Sequence, residues 1–257
     1  MIELKNIHKY YNPGSVNELC LFQDFSLTIN DGDFVAVVGS NGSGKTSLLN
    51  IICGSIPIDS GDIVVNGNSI VGKKDYLRHR KIGRVYQDPS KGTCPSMTIL
   101  ENLSIADNKG KSFNLRAGVN KAKIGEYKEL LSTLNLGLED KLHTQVGSLS
   151  GGQRQALALL MSTMTPIEFL ILDEHTAALD PKTADRIMEL TEQIVREKKV
   201  TTIMVTHNLR YAVEYGNRLI MMHQGEAIID KAGEEKAVIT TEDIMSTFNK
   251  ISVECGN

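Results

Sequence analysis

Between two apolar runs lies the sequence Gly39-Ser40-Asn41-Gly42-Ser43-Gly44-Lys45-Thr46. The apolar residues 34–38 before it predict a strand, and those at 48–52 predict a helix from about Lys45 to Cys53. Glycines let backbone N–H groups turn toward a phosphate chain, and the positive N-terminal end of a helix favours the same anion. In a G-x-x-x-x-G-K-T pattern, Lys45 reaches the β- and γ-phosphates and Thr46 ligates Mg²⁺. The chain is therefore predicted to bind a nucleoside triphosphate.

The composition is ordinary for a globular protein. The chain has 257 residues, of which 41% are hydrophobic, so it can form one large domain or one domain with an inserted lobe. A net charge of −3 gives no indication that nucleic acid is a main ligand. No apolar run approaches the ~18 residues that a membrane span needs. Scattered cysteines without a C-x-x-C pair are expected to be reduced thiols, not disulfide or metal ligands: Cys20, Cys53, Cys94 and Cys255.

Strand and helix patterns alternate on both sides of a helical middle section. Residues 97–164 are mainly helical, and the α/β alternation returns with a strand pattern at 169–172 and a helix over 181–198 that has Pro at its first turn. Strands that alternate with helices predict a mainly parallel sheet. We therefore predict a single domain, with a nucleotide-binding α/β lobe of 1–96 plus 165–257 and an inserted helical lobe of 97–164.

A polar, basic stretch covers residues 108–128 of the helical section. Its cations are Lys109, Lys111, Arg116, Lys121, Lys123 and Lys128. Such a stretch is either a solvated face or a contact with a membrane surface or a partner.

The apolar strand pattern at 169–172 ends in two acids, Asp173 and Glu174. A buried strand delivers Asp173 to the phosphate end of the sheet, where it can hold Mg²⁺ through water. Glu174 can polarise the attacking water as a general base. The alternative is a strand that simply runs into an acidic loop, but the phosphate loop elsewhere in the chain favours the catalytic interpretation.

A second sequence suited to anions is Leu149-Ser150-Gly151-Gly152-Gln153, which opens an apolar helix. Ser150 is a plausible N-cap, and the glycines leave N–H groups open to an anion. One nucleotide cannot easily use both anion sites within one monomer if they lie on different lobes. Two chains that face each other head to tail can do so.

Taken together, the motifs resemble the ATP-binding cassette of ABC transporters over almost the whole chain. The L-S-G-G-Q motif separates that family from other P-loop NTPases. The ordered set consists of 39–46, Gln87, 149–153, 170–174, 178–180 and His207. The resemblance implies an α/β fold: a P-loop NTPase core with a mainly parallel sheet, an N-terminal antiparallel β-subdomain and an inserted helical subdomain.

The resemblance also implies roles for single residues. Tyr11 would stack on adenine, and Tyr10, at the end of the same strand, is its rival. Gln87 would sense Mg²⁺ and water and link the site to the helical lobe. His207 would contact the γ-phosphate, and Asp180 would belong to the dimer-facing loop.

Two residues depart from the common family pattern. His175 stands where Pro often follows the catalytic Glu, and Ala177 stands where Ser is common. Neither change removes a phosphate or metal ligand. They leave open how rigid this loop is and how it couples the two chains of a dimer.

As the resemblance implies, the chain is an Mg²⁺-dependent ATPase that forms a homodimer on ATP binding, with Ser150, Gly151, Gly152 and Gln153 binding the other chain's ATP. It would lie at the cytoplasmic face of the membrane and drive two separate permease subunits docked near residues 87–102. Residues 173–184 and 83–89 also resemble a bacterial importer subfamily linked to substrate-binding lipoproteins for small solutes, including aromatic amino acids. The alternatives are an exporter or lipoprotein-release ATPase, and a non-transport ATPase acting on ribosomes or DNA.

Overall fold

The computed structural model describes residues 1–111 and 118–254. These residues fall into two compact units: unit 1 comprises residues 1–79 and those from 199 onward, and unit 2 comprises residues 80–198. Arg116 of the basic stretch and Cys255 lie outside the described residues. The division into a lobe of 1–96 plus 165–257 and a helical lobe of 97–164 stays a prediction.

The N-terminal part of unit 1 is an antiparallel sheet. Strand β1 (Ile2–Tyr11) pairs with β2 (Leu19–Ile29) on one side and with β4 (Ser60–Val65) on the other. The two-residue strand β5 (Asn68–Ser69) extends the sheet beside β4, which gives the order β2-β1-β4-β5. Burial along the first half of β1 largely alternates, because one face of the sheet covers the core. The predicted antiparallel β-subdomain is confirmed.

A second group of strands in unit 1 is mainly parallel. Strand β3 (Phe34–Gly39) lies between β8 (Thr201–Val205) and β9 (Arg218–His223), and both pairings are parallel. Strand β10 (Glu226–Ala232) runs antiparallel to β9. Every residue of β3 and β8 is buried, as expected for parallel strands that are covered on both faces.

The helices of unit 1 include several that are too short for a hydrophobic period to be recognised. They are α1 (Lys45–Cys53), α2 (Asp75–His79), α7 (Leu209–Glu214), α8 (Gly233–Ala237) and α9 (Thr241–Glu254). Helix α1 has the bounds that the sequence predicts, and it ends where Gly54 adopts a left-handed conformation with φ of 86°.

Unit 2 contains two parallel strands, β6 (Ile82–Val85) and β7 (Phe169–Asp173), in which Arg84 is paired with Ile171. Its helices are α3 (Ile99–Asp107), α4 (Ile124–Ser132), α5 (Gly151–Thr163) and α6 (Pro181–Lys198). At Gly83, an added Cβ would lie 2.5 Å from the carbonyl oxygen of Ser162, so the backbones of β6 and α5 approach closely.

Within the part of the chain that the structure describes, every helix is either too short or too polar to cross a membrane. In the same part, Cys20, Cys53 and Cys94 are thiols and not halves of disulfides.

Candidate active site

The phosphate loop connects β3 to α1 and wraps around the ammonium group of Lys45. The Nζ of Lys45 donates to the carbonyl oxygens of Gly39 and Ser40, each at 2.8 Å, and the residue is only 5% exposed. Because the loop carbonyls hold the ammonium at this place, its positive charge is fixed beside the backbone N–H groups of the loop. That set of donors suits a phosphate chain.

Two glycines of the loop are required by close packing. Gly39 has a φ of 155°, and a Cβ on it would lie 2.3 Å from the carbonyl oxygen of Met222. Gly44 has a φ of 102°, and a Cβ there would lie 3.0 Å from the Cζ of the buried Phe22. A side chain at either position would therefore deform the cradle.

The N-terminus of α1 offers its first N–H groups to a ligand. Gly44, the residue before the helix, has no side chain with which to cap it. Thr46 lies exposed in the first turn, so its hydroxyl can reach a metal ion. The ammonium, the N–H groups and the hydroxyl together fit a triphosphate with Mg²⁺.

Tyr11, the candidate for adenine stacking, lies near the start of α1. Its hydroxyl is 3.2 Å from the Oγ of Ser47, and the Nζ of Lys9 lies 5.5 Å from its ring centroid. Tyr10 is paired across the sheet with Cys20, and a hydrogen bond to the Cys20 side chain raises the pKa of the Tyr10 phenol. This arrangement favours Tyr11 over Tyr10 as the aromatic side chain near the phosphate loop.

His207 lies on the same edge of the unit 1 sheet as the phosphate loop. It follows β8, whose Val205 is paired with Val37 of β3, and the N–H of Thr206 donates to the carbonyl oxygen of Val37 at 3.1 Å. The side chain of His207 is exposed. Because parallel strands bring their carboxyl ends to one edge, His207 and the loop after Val38 share that edge.

Asp173 ends β7 in unit 2 and forms a largely buried ion pair with Arg84 of β6. The Nη2 of Arg84 lies 2.9 Å from the Oδ2 of Asp173, and the guanidinium stacks 4.6 Å from the ring centroid of Tyr86. Sequence reasoning missed Arg84. A charged residue inside an otherwise apolar strand pattern was the signal that could have identified it.

Glu174 has a φ of +49°, in the left-handed region that a residue with a side chain rarely adopts. The next residue, His175, is buried, and its Nε2 lies 3.2 Å from the Oγ1 of the buried Thr191 in α6. Burial lowers the pKa of His175 to about 4, so its imidazole is neutral at physiological pH.

Gln87 is exposed just after β6, and the backbone of the residue before it is hydrogen-bonded to helix α5. The Nε2 of Gln155, a residue that is 1% exposed, donates to the carbonyl oxygen of Tyr86 at 3.1 Å. After Gln87, the Asp88 side chain caps a short 3-10 turn by accepting from the N–H of Ser90, which lowers the pKa of Asp88. Sequence reasoning gave no role to Gln155.

The signature sequence caps its own helix α5. The Oγ of Ser150 accepts from the N–H of Gln153, and the Oε1 of Gln153 accepts from the N–H of Ser150. The Nε2 of Gln153 also donates to the carbonyl oxygen of Leu136 at 3.2 Å. The predicted N-cap at Ser150 is therefore confirmed, and the Ser150 hydroxyl keeps a proton that it can donate.

Close packing explains the second glycine of the signature. A Cβ on Gly152 would lie 2.3 Å from the Cγ2 of Thr183 in α6. Asp180, which precedes α6, accepts at Oδ1 from the N–H of Thr183 at 3.1 Å and so caps that helix. Hydrogen bonds from Thr183 lower the pKa of Asp180 and keep it ionised.

The predicted site residues are thus divided between the two units. Unit 1 collects the phosphate loop of 39–46, Tyr11 and His207. Unit 2 collects Gln87, the signature of 150–153, and Asp173 with Glu174.

Residues 22–177 match the ABC transporter family, and the chain belongs to that family. More particularly, it is the ATP-binding subunit of an ABC transporter, an ATPase, as the resemblance implied. The fold class that the sequence predicts is confirmed as well.

Two relatives and one solved structure illustrate the similarity. The chain is 49% identical over 250 residues to the tyrosine transport ATP-binding protein of Clostridioides difficile (strain R20291), which covers 96% of this chain and 98% of that protein. It is 33% identical over 243 residues to the phosphonates import ATP-binding protein PhnC of Lactobacillus delbrueckii subsp. bulgaricus, with 91% of each chain covered. A dimeric ATP-binding cassette in a post-hydrolysis state, bound to ADP and Pi, matches with a TM-score of 0.76 and 28% identity over 90% of this chain and 98% of that one.

Proposed function

We propose that this ATPase powers the import of a small solute, and that an aromatic amino acid is the first candidate. The observation that carries the proposal is the 49% identity, over nearly the full length of both chains, to a protein named for tyrosine transport. A second relative is named for phosphonate import, which agrees in direction and differs in solute.

The triphosphate is bound by the ammonium of Lys45 and by the N–H groups around it, which the loop holds in place through the carbonyls of Gly39 and Ser40. Tyr11 stacks on the adenine and His207 contacts the γ-phosphate. Glu174 accepts a proton from the attacking water, a role worth typically about 10²–10⁴-fold in rate.

The residues also fit Mg²⁺, since that ion prefers oxygen ligands and keeps several waters. The hydroxyl of the exposed Thr46 would ligate it, and Asp173 and Gln87 would support it through water. When bound, the ion neutralises charge that develops on the phosphate oxygens. The Arg84 guanidinium holds Oδ2 of Asp173, so Oδ1 of that carboxylate remains to accept from a water of the ion.

The working unit is a homodimer that forms on ATP binding, in which 150–153 of one chain completes the site of the other. Two separate permease subunits cross the membrane and dock near 87–102 at its cytoplasmic face. A substrate-binding lipoprotein delivers the solute. The exposed Met97 and Ile105 support a contact surface in this part of unit 2.

Reconstitution tests the proposal. The chain is purified with the membrane subunits and lipoprotein that accompany it, placed in vesicles, and supplied with ATP and labelled tyrosine. We expect uptake that depends on ATP and is lost in the Glu174→Gln variant. Competition by unlabelled phenylalanine or by a phosphonate distinguishes the two solute classes suggested by the relatives. Export of tyrosine, or ATP hydrolysis that responds to neither solute, would contradict the proposal.

A further inference from the structure

Glu174, the candidate catalytic base in unit 2, has an unusual backbone conformation. Its φ of +49° lies in the left-handed region, which is strained for a residue with a side chain. Such a conformation persists only when its surroundings hold it. The residues on either side of Glu174 are held by contacts that can supply this restraint.

On one side, Asp173 forms the ion pair with Arg84 that is described above. On the other side is the hydrogen bond of His175 with Thr191. Thr191 is fully buried in α6, and its hydroxyl donates its one proton to the carbonyl oxygen of Ile187 at 2.7 Å. The same oxygen can then only accept from His175. The imidazole must therefore carry its proton on Nε2, at 3.2 Å from the Thr191 oxygen.

We propose that His175 and Thr191 are positioning residues for the catalytic base: their hydrogen bond ties the peptide after Glu174 to the middle of α6. The proposal rests on the role of Glu174 in the proposed function. The side chain of His175 is buried, so it would act through the backbone and direction of its neighbour and not by contact with the nucleotide. His175 stands where Pro is common in the family, which left open how rigid this loop is. The buried hydrogen bond of His175 restrains the backbone there in place of the proline ring.

The position of a base matters because proton transfer requires hydrogen-bond reach, and a displacement of about 1 Å can cost roughly 10²-fold in rate. ATP binding depends on other groups, namely the phosphate loop and Tyr11. Loss of the bond between His175 and Thr191 should therefore lower kcat and leave KM for ATP nearly unchanged.

The first test compares two threonine substitutions in the full-length chain. Thr191→Val removes the acceptor for His175 and keeps the shape of the side chain. The matched control is Thr163→Val, because Thr163 is equally buried and its hydroxyl donates to the carbonyl oxygen of Leu159 in its own helix, at 3.1 Å. We expect kcat to fall about tenfold or more in Thr191→Val, and less than twofold in Thr163→Val. Thermal unfolding of both variants shows whether they are folded and equally destabilised.

The second test replaces the histidine. His175→Gln keeps an N–H donor that can reach Thr191, and His175→Leu removes it. We expect His175→Gln to retain most of the kcat and His175→Leu to lose it to the same extent as Thr191→Val. Should His175→Leu fail to fold, Thr191→Val and His175→Gln still decide the question.

The proposal is overturned if Thr191→Val and Thr163→Val have equal kcat, if the loss lies in KM, or if His175→Gln is as slow as Thr191→Val. Glu174→Gln, measured in parallel, separates this failure from that of the proposed function. If kcat is low in the Glu174→Gln variant but normal in the Thr191→Val variant, only the positioning role is rejected. A Glu174→Gln variant with normal turnover rejects the base itself, and the positioning role with it.

Discussion

The candidate site residues of unit 1 and those of unit 2 differ in the groups of the protein that hold them. In unit 1, the phosphate loop holds the Lys45 ammonium through its own backbone carbonyls, and the N–H groups at the start of α1 have no side-chain cap, because Gly44 precedes the helix. In unit 2, other protein groups form hydrogen bonds with the functional groups or with the backbone beside them. Arg84 binds Asp173, and Thr191 binds His175. Gln155 binds the backbone before Gln87, and Ser150 caps its own helix.

This difference has a physical reason. In unit 1, the N–H groups at the start of α1 have no side-chain cap and can bind an anion, while the loop carbonyls set the place of the Lys45 ammonium. A group that must act in a chemical step gains most if its direction is set beforehand, so unit 2 fixes it. Changes in unit 1 should therefore affect nucleotide affinity, whereas changes in unit 2 should affect turnover, dimer closure or stability.

The largest effect is expected when a chain with a substitution in unit 1 is mixed with a chain that has a substitution in unit 2. Lys45→Ala damages the phosphate loop and Ser150→Arg damages the signature, and each variant alone should be inactive. In a mixture, each heterodimer has one site with both lesions and one site with neither, so partial ATPase activity should return. The measurement is ATP hydrolysis against mixing ratio. Full activity of a monomer, independent of protein concentration, would rule out the composite site.

Next in size is the loss of ATP affinity in Lys45→Ala. The ammonium makes charge-assisted contacts worth about 1.5–3 kcal/mol, so the affinity should fall roughly 10- to 150-fold. Titration with ATP in the absence of Mg²⁺ isolates this contact. As a control, Glu174→Gln belongs to unit 2 and should bind ATP as tightly as the unchanged chain. Equal affinity of the two variants would remove the distinction between the units.

An intermediate effect concerns the stability of unit 2 at acid pH. The folded chain holds His175 neutral down to about pH 4, whereas an unfolded histidine gains a proton below its ordinary pKa of 6.5. The stabilisation is therefore complete above pH 6.5 and is lost as the pH falls toward 4. Between pH 7 and pH 5, the unchanged chain should lose about 2 kcal/mol of unfolding free energy more than His175→Gln does. Urea unfolding at the two pH values measures this, and parallel pH curves for the two chains would contradict it.

A similar or smaller effect separates the two tyrosines of unit 1. Stacking of a base on an aromatic side chain contributes about 1–3 kcal/mol in nucleic-acid complexes. Tyr11→Ala should therefore weaken ATP binding more than Tyr10→Ala, because Tyr11 lies beside Ser47 at the start of α1. Titration of both variants with ATP gives the ranking. An equal or reversed ranking would assign the stacking role to Tyr10 or to neither.

The smallest effect is the loss of a helix cap in unit 2. Ser150→Ala should cost about 1 kcal/mol of unfolding free energy and leave ATP binding by the monomer unchanged. Thr98→Ala is a matched control, because Thr98 forms the same kind of capping box with Glu101 at the start of α3. Both variants should lose similar stability in urea, but only Ser150→Ala should also slow ATP hydrolysis. If both hydrolyse ATP equally, Ser150 is a cap and nothing more.

Several elements could be predicted closely because their signals are local. The helix over 181–198 begins with Pro in its first turn, and its predicted bounds agree with those of α6. Strand β5 and helices α2 and α8 were missed, because two to five residues are too few to show a period.

By itself, the sequence determined the phosphate loop, the family and the class of reaction. Those signals are runs of neighbouring residues, in which glycine spacing and a following helix already dictate the chemistry. Tertiary structure alone decided how the reacting groups are held. The contact between Arg84 and Asp173 depends on the pairing of β6 with β7, and the bond from His175 to Thr191 depends on the packing of α6. Residues far apart in the chain meet only when buried surfaces set their register, and no local pattern encodes that meeting.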